Sequence, residues 1–228
     1  MELNETTLTD CRPTRVEIER ISGDGQPATL IGCDLEGMDL SQLDMAGWRF
    51  ERCNLARASF NGAHLEEATF KGCRSAGSRF LSADLLEGTI DGGDFSNASF
   101  LGATLNGASI LRCKMTGVDL TDAKAMSLVL EEVLLVLAIL PKFSFRKMTL
   151  KQVDFSEADM RSCDFRDAVL DECSLRDANL SDCRFENADL RGCDLGGVKL
   201  TDARRFKGAV ISRQQAAELL GQLGLRVM

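Results

Sequence analysis

Between residues 149 and 203 a large apolar residue returns at every fifth position: Leu150, Phe155, Met160, Phe165, Leu170, Leu175, Leu180, Phe185, Leu190, Leu195 and Leu200. Two places before each stands a small one, such as Val153, Ala158, Cys163, Ala168 and Cys173. A helix repeats its faces about every 3.6 residues and a strand about every 2, so neither keeps a period of five in phase. The backbone must turn a corner every five residues and return each large side chain to one interior. The frame extends back to Ala28 and Leu30 with no insertion or deletion, and so spans residues 28–203. A single slip would expel every later central residue from the core, as a one-residue slip does in a strand.

The column contents follow from packing. Central positions are Leu, Phe, Met or Ile except at Ser75 and Ala125. The preceding small position also points inward, and its large exceptions fall in two groups. Met38, Leu43 and Trp48 lie where wide side chains can plug an open N-terminal coil, while Leu128, Phe143 and Met148 bracket the middle. The other three positions face solvent and are mostly polar or glycine. Eight of the nine cysteines occupy the small column, and only Cys11 lies outside it. They read as small buried groups. With no CxxC pair and a single histidine, His64, outside that column, no metal site is expected. In a coil of twenty residues Cys33, Cys53 and Cys73 would stack about 4.8 Å apart, within disulfide reach. Free thiols are nevertheless expected in a reducing compartment.

Residues 123–142, AKAMSLVLEEVLLVLAILPK, keep the frame yet break its chemistry. Val129, Leu134, Val136, Leu137 and Ile139 fall on outward columns. One reading is a helix capped by Asp122 and ended before Pro141. The other is one more coil with an apolar outer face. The frame favours the coil, because Leu130, Leu135, Leu140 and Phe145 stay in phase. Such a face suggests a partner contact, or cover from one of the chain's own ends.

Both ends depart from the frame. Residues 1–27 form an N-terminal cap, with Val16, Ile18 and Ile21 read as a short strand before a turn at Gly23–Pro27. Residues 204–228 read as a C-terminal helix and strand. Ser212 and Gln215 make a capping-box signature, and Ala216, Leu219, Leu220 and Leu223 form an apolar stripe. Gly224 suits the C′ position, and Leu225 and Val227 alternate beyond it. Solenoids need such caps over their open ends.

The net charge of −8 argues against direct binding to nucleic-acid phosphates. No run of about 18 apolar residues is present to span a membrane. The charged first twenty residues do not make a secretory signal, so a cytoplasmic protein is expected. No catalytic constellation appears. Pairs such as Glu66/Glu67 and Asp171/Glu172 are adjacent outward residues on a solvated face, and Gly-Gly pairs lack a phosphate-loop context. Neither enzymatic activity nor a cofactor is expected.

The frame resembles the pentapeptide-repeat family, A(D/N)LXX, over about three quarters of the chain. Ala158-Asp159-Met160, Ala178-Asn179-Leu180 and Ala188-Asp189-Leu190 match its motif. The resemblance implies an all-β fold, a right-handed quadrilateral β-helix of about nine coils with a short C-terminal capping helix, roughly 40 Å long at the strand spacing. Fold alone does not give function. The ending, with Gly197-Val198-Lys199-Leu200, Gln215-Ala216 and Leu223-Gly224-Leu225-Arg226-Val227, is similar to the quinolone-resistance and topoisomerase-protection subgroup. So are Cys73–Phe80 and Val129–Glu132. That resemblance implies a DNA-mimicking partner of DNA gyrase or topoisomerase IV. It also implies a homodimer through Ala216, Leu219, Leu220, Leu223, Leu225 and Val227. The partner contact is expected at Leu134, Val136, Leu137, Ile139, Asp154 and Asp194. The chain departs from the subgroup in two respects: no loop interrupts the frame, and the repeat carries 28 acids against 19 bases. The alternative is a generic scaffold that docks a partner through the apolar outer patch.

Overall fold

A computed structural model describes residues 6–198, 203–221 and 224–226. The chain winds into a parallel β-solenoid with the pentapeptide-repeat fold. One face carries nine strands in sequence order: β1 (Thr6–Thr9), β2 (Ala28–Ile31), β3 (Arg49–Glu51), β4 (Thr69–Arg74), β5 (Thr89–Asp94), β6 (Ser109–Leu111), β7 (Val129–Glu131), β8 (Thr149–Lys151) and β9 (Val169–Asp171). Two short helices, α1 (Arg15–Gly23) and α2 (Arg213–Gly221), stand near the ends. From β2 to β9 each partner lies twenty residues on, as in Arg49↔Thr69 and Thr149↔Val169. The register departs from twenty only outside that run, at Thr6↔Ala28 and Asp189↔Val210.

The period of five has a backbone cause. From Gly32 to Asn187 each corner places a residue in the left-handed region, among them Arg57 at φ 58°, Glu87 at 56° and Asp167 at 59°, with glycines such as Gly77 and Gly107 elsewhere in the column. That conformation reverses the chain locally and disfavours β-branched residues; none occupies it among the described residues. The central side chains then stack coil on coil. Phe60, Phe80 and Phe100 form a parallel pile with centroids 4.8 and 4.7 Å apart. Phe145, Phe165, Phe185 and Phe206 form a second, spaced 4.8 to 4.9 Å. The spacing equals the coil rise because ring and backbone share one repeat.

The cysteines are free and, apart from half-buried Cys11, buried in the small column. Several thiols reach a carbonyl of the preceding coil, as Cys163 Sγ does at Leu140 O (3.1 Å) and Cys183 Sγ at Met160 O (2.9 Å). Burial pushes the Cys113 thiol up to about 12 and Cys173 up to about 11. Such groups fill space and resist oxidation.

Residues 123–142 form a coil and not a helix. Leu134 bridges Lys114 and Asp154, and Ile139 bridges Asp119 and Asp159. The strand reading of Val16–Ile21 is wrong: this segment is α1. Thr14 caps it in a full capping box with Glu17. Ile18, Ile21 and Ser22 point inward while Val16 is exposed, so the apparent alternation came from helical spacing. The strand of this segment lies earlier, at Thr6–Thr9.

Candidate interaction surface

The outward columns hold most of the polar chemistry, and the Asp/Asn column before each central residue has a structural task. Asp39 accepts the Ser41 amide at 3.0 Å, Asp119 the Thr121 amide at 2.9 Å, Asp154 the Ser156 amide at 2.9 Å, and Asp194 the Gly196 amide at 2.8 Å. These are Asx turns that fasten the corners. Part of the acidity of this chain is therefore set by backbone geometry. The A(D/N)LXX pattern carried this signal, but a polar residue on a solvated column is indistinguishable from one that closes a turn until the turn is seen.

Many of these acids are neutralised within the rod. Arg161 pairs Asp159 at 2.7 Å and Arg191 pairs Asp189 at 2.6 Å, each two residues along one corner. Arg166 pairs Asp164 in the same way. Arg176 reaches across a coil to Asp194 at 2.8 Å, and Arg205 to Asp182 at 2.6 Å. Hydrogen bonds from the arginine side chains are the main cause holding the carboxyls of Asp159, Asp164 and Asp189 below the usual carboxylate range. A depressed carboxyl stabilises the fold above its unfolded value of about 3.9, and that stabilisation is lost as pH falls through the folded value. Calorimetry should find a melting temperature that drops below about pH 4. A variant carrying Arg161→Met, Arg166→Met and Arg191→Met should show a smaller difference between pH 6 and pH 3.

The structure brings five of the six expected contact residues together. Leu134, Leu137 and Ile139 are 45%, 52% and 43% exposed, and Val136 is half-buried between them. They form an apolar ridge over one corner, with Leu134 on one face and Ile139 on the next. Leu137 sits in the left-handed corner position at φ 59°, where every other non-glycine occupant among the described residues is polar or charged. Asp154 lies beside Leu134 in the ladder and enters no ion pair. Asp194 is two rungs further along, beyond Ser174, and is held by Arg176.

Neither described end of the chain covers the ridge. The N-terminal helix closes the first coil, where Ser22 Oγ donates to Asp44 O (2.8 Å) and Arg15 Nη1 to Asp39 O (2.5 Å). The C-terminal helix closes the last. Gln215 is buried, and its Nε2 donates to Leu190 O and Cys193 O, both at 2.6 Å. Its Oε1 accepts the Ser212 amide while the Gln215 amide donates to Ser212 Oγ, completing the expected capping box. The second task of Gln215 was not read from the sequence.

Of the expected dimer residues, Leu219 is buried against the core of its own chain. Ala216 and Leu220 are half-buried and Leu225 is exposed. Leu223 and Val227 lie outside the described residues. Gly224, at φ 79°, occupies the C′ position, with Leu225 N bonded to Leu220 O and Gly224 N to Gly221 O, a Schellman ending. Leu225 and Arg226 take part in no strand.

Among the described residues no group of His, Cys, Asp and Glu is arranged to hold a metal ion. Nor is any helix there long and apolar enough to cross a membrane.

Comparison with known proteins agrees with this geometry. A family model described as "Pentapeptide repeat region" matches residues 43–120 and 129–200. Among solved structures, a trypsin-treated variant of QnrB1, a plasmid-mediated fluoroquinolone resistance protein, is similar at 22% identity and a TM-score of 0.62, covering 98% of both chains. Full-length QnrB1 gives 20% identity and a TM-score of 0.62 over 97% of this chain and 98% of its own. HetL, a pentapeptide repeat protein involved in heterocyst differentiation regulation from the cyanobacterium Nostoc sp. strain PCC 7120, shares 21% identity over 86% of this chain and 94% of its own, with a TM-score of 0.44. No curated protein matches. The repeat frame, the solenoid and the family model agree, and the chain belongs to the pentapeptide-repeat family.

Proposed function

We propose that this protein is a non-enzymatic binding protein that engages DNA gyrase or topoisomerase IV in the cytoplasm and protects it from topoisomerase poisons. The observation that carries this reading is the end-to-end likeness to QnrB1, a fluoroquinolone resistance protein, over 98% of both chains. An acidic rod supports it, since an anionic surface suits a protein that binds DNA and not DNA itself. The mimicry is partial, because many acids are paired with arginine or spent on corners. The contact is therefore led by the ridge of Leu134, Leu137 and Ile139 with the carboxylate of Asp154, which closes its Asx turn but enters no ion pair among the described residues. A homodimer through α2 belongs to the same reading, with Ala216, Leu220 and Leu225 as its described contacts.

The test is a gyrase supercoiling assay with a fluoroquinolone present. Added protein is expected to restore supercoiling, and sedimentation to report twice the chain mass. Supercoiling that stays inhibited at every protein concentration removes the reading. A second reading, a scaffold for some other protein, is favoured by the uncovered ridge itself. Leu137→Glu separates the two. Loss of a partner from pull-downs with no effect on gyrase identifies the scaffold, whereas loss of gyrase protection identifies the first reading.

A further inference from the structure

The gap between the coils at 121–140 and 141–160 is unlike its neighbours. On one side Gly102, Leu105 and Gly107 donate their amides to Thr121, Lys124 and Met126 at 2.9, 2.6 and 2.8 Å. On the other, Lys142, Phe145 and Lys147 donate to Arg161, Asp164 and Arg166 at 2.7, 2.8 and 3.0 Å. Between them the equivalent amides of Asp122, Ala125 and Ser127 meet no carbonyl across the gap, and those of Ser144 and Thr149 do not reach back. Pairing of β7 with β8 is reduced to Glu131↔Lys151. The ladder is open across one whole face and resumes at Glu132, whose amide reaches Lys151 O at 2.9 Å.

The residues explain the opening. Ala125 leaves a central position without its large side chain. Leu128 and Met148, stacked in the small column, are too bulky for the normal coil spacing. Phe143, also in that column, has its ring turned against Phe145 at 4.8 Å. The result is a slit holding an open cavity of about 340 Å³. Its floor is apolar, from Ala123, Ala125, Phe143 and Met148, and Lys142 and Arg146 stand at its lining. Lys124 and Lys147 are exposed beside it. Two acids temper this charge: Asp167 lies 3.8 Å from Arg146, and Asp122 shares the corner of Lys142. The slit is thus a cationic site on an anionic protein.

We propose that this slit binds a small amphipathic anion, with an apolar ring system on the floor and a carboxylate, sulfonate or phosphate at the mouth. The size is at the lower end of ligand pockets, which run from about 300 Å³. The unmated amides of Ala125, Ser127 and Ser144 supply directed donors that a ligand can satisfy. An uncharged ring would gain only the floor, and a small inorganic anion only the mouth.

Two fluorescent probes test it: 8-anilinonaphthalene-1-sulfonate, an aromatic anion, and N-phenyl-1-naphthylamine, its uncharged analogue. The sulfonate is expected to bind the intact protein at one site. Lys142→Glu with Arg146→Glu, both exposed, should weaken the sulfonate about tenfold, or about 1.4 kcal/mol, and leave the neutral probe within about twofold. Ala125→Leu should remove both by filling the floor. Unchanged sulfonate affinity in the charge-reversed protein overturns the proposal, as does full binding by a folded Ala125→Leu protein. If Ala125→Leu gives no thermal transition, the charge-reversed protein alone decides.

Discussion

Phe80→Ala should be the most damaging single side-chain truncation in the rod, at about 3–5 kcal/mol, because phenylalanine-to-alanine changes in a rigid core cost that much. Phe80 is fully buried. It stacks between Phe60 and Phe100 and meets Phe70 edge-on at 5.7 Å and Phe95 at 6.4 Å. The interior is one side chain deep on each face, and its backbone is tied on both sides by the ladder, so the walls cannot collapse into the void. Adjacent coils depend on each other as in other solenoids. The loss should therefore reach beyond Phe60 and Phe100. Denaturant unfolding followed by circular dichroism checks it. A cost below about 1 kcal/mol would mean that the stack carries little of the stability.

Gln215→Leu should destabilise the C-terminal end by about 1–3 kcal/mol, since the buried Cys193 carbonyl loses its donor while the Leu190 carbonyl keeps the Cys193 amide. Cys193 offers a carbonyl that a further coil's amide would take, as Cys163 O accepts the Arg184 amide, and Gln215 Nε2 stands in for that coil. The change also removes one half of the capping box, the Ser212 amide donating to Gln215 Oε1, and keeps the Gln215 amide on Ser212 Oγ. Gln215→Glu is the sharper control: it keeps the size and the acceptor while deleting the donor. Amide exchange should speed up from Leu190 onward and stay unchanged near Phe50. Uniform acceleration along the chain would instead place the loss in global stability.

The parts of this structure legible in the sequence are those that repeat. A period of five from Leu30 onward dictates the corners, the central piles and the small column, because each coil sees the same neighbours. The caps do not repeat. In α1, Thr14 and Glu17 spell a capping box, yet Val16, Ile18 and Ile21 sit in an order that also suits a strand. At the other end Ser212 and Gln215 gave the helix its start, while the reach of Gln215 to Leu190 depends on how α2 docks. The slit is intermediate. Ala125, Leu128, Phe143 and Met148 each break a column rule visibly, but their joint effect on coil spacing is three-dimensional. The ridge was legible as composition. The left-handed backbone of Leu137, and the separation of Asp194 from it, required the fold.

The closed ends have a consequence for assembly. A parallel ladder of identical coils has no intrinsic length, since each exposed edge offers the same row of amides and carbonyls to the next chain. Stacked end on end, such rods would grow as filaments by the geometry that builds cross-β fibres. Ser22, Arg15 and Gln215 occupy those edge carbonyls with side chains that offer nothing equivalent outward. Three residues at the two ends thus help keep the protein a particle of fixed length.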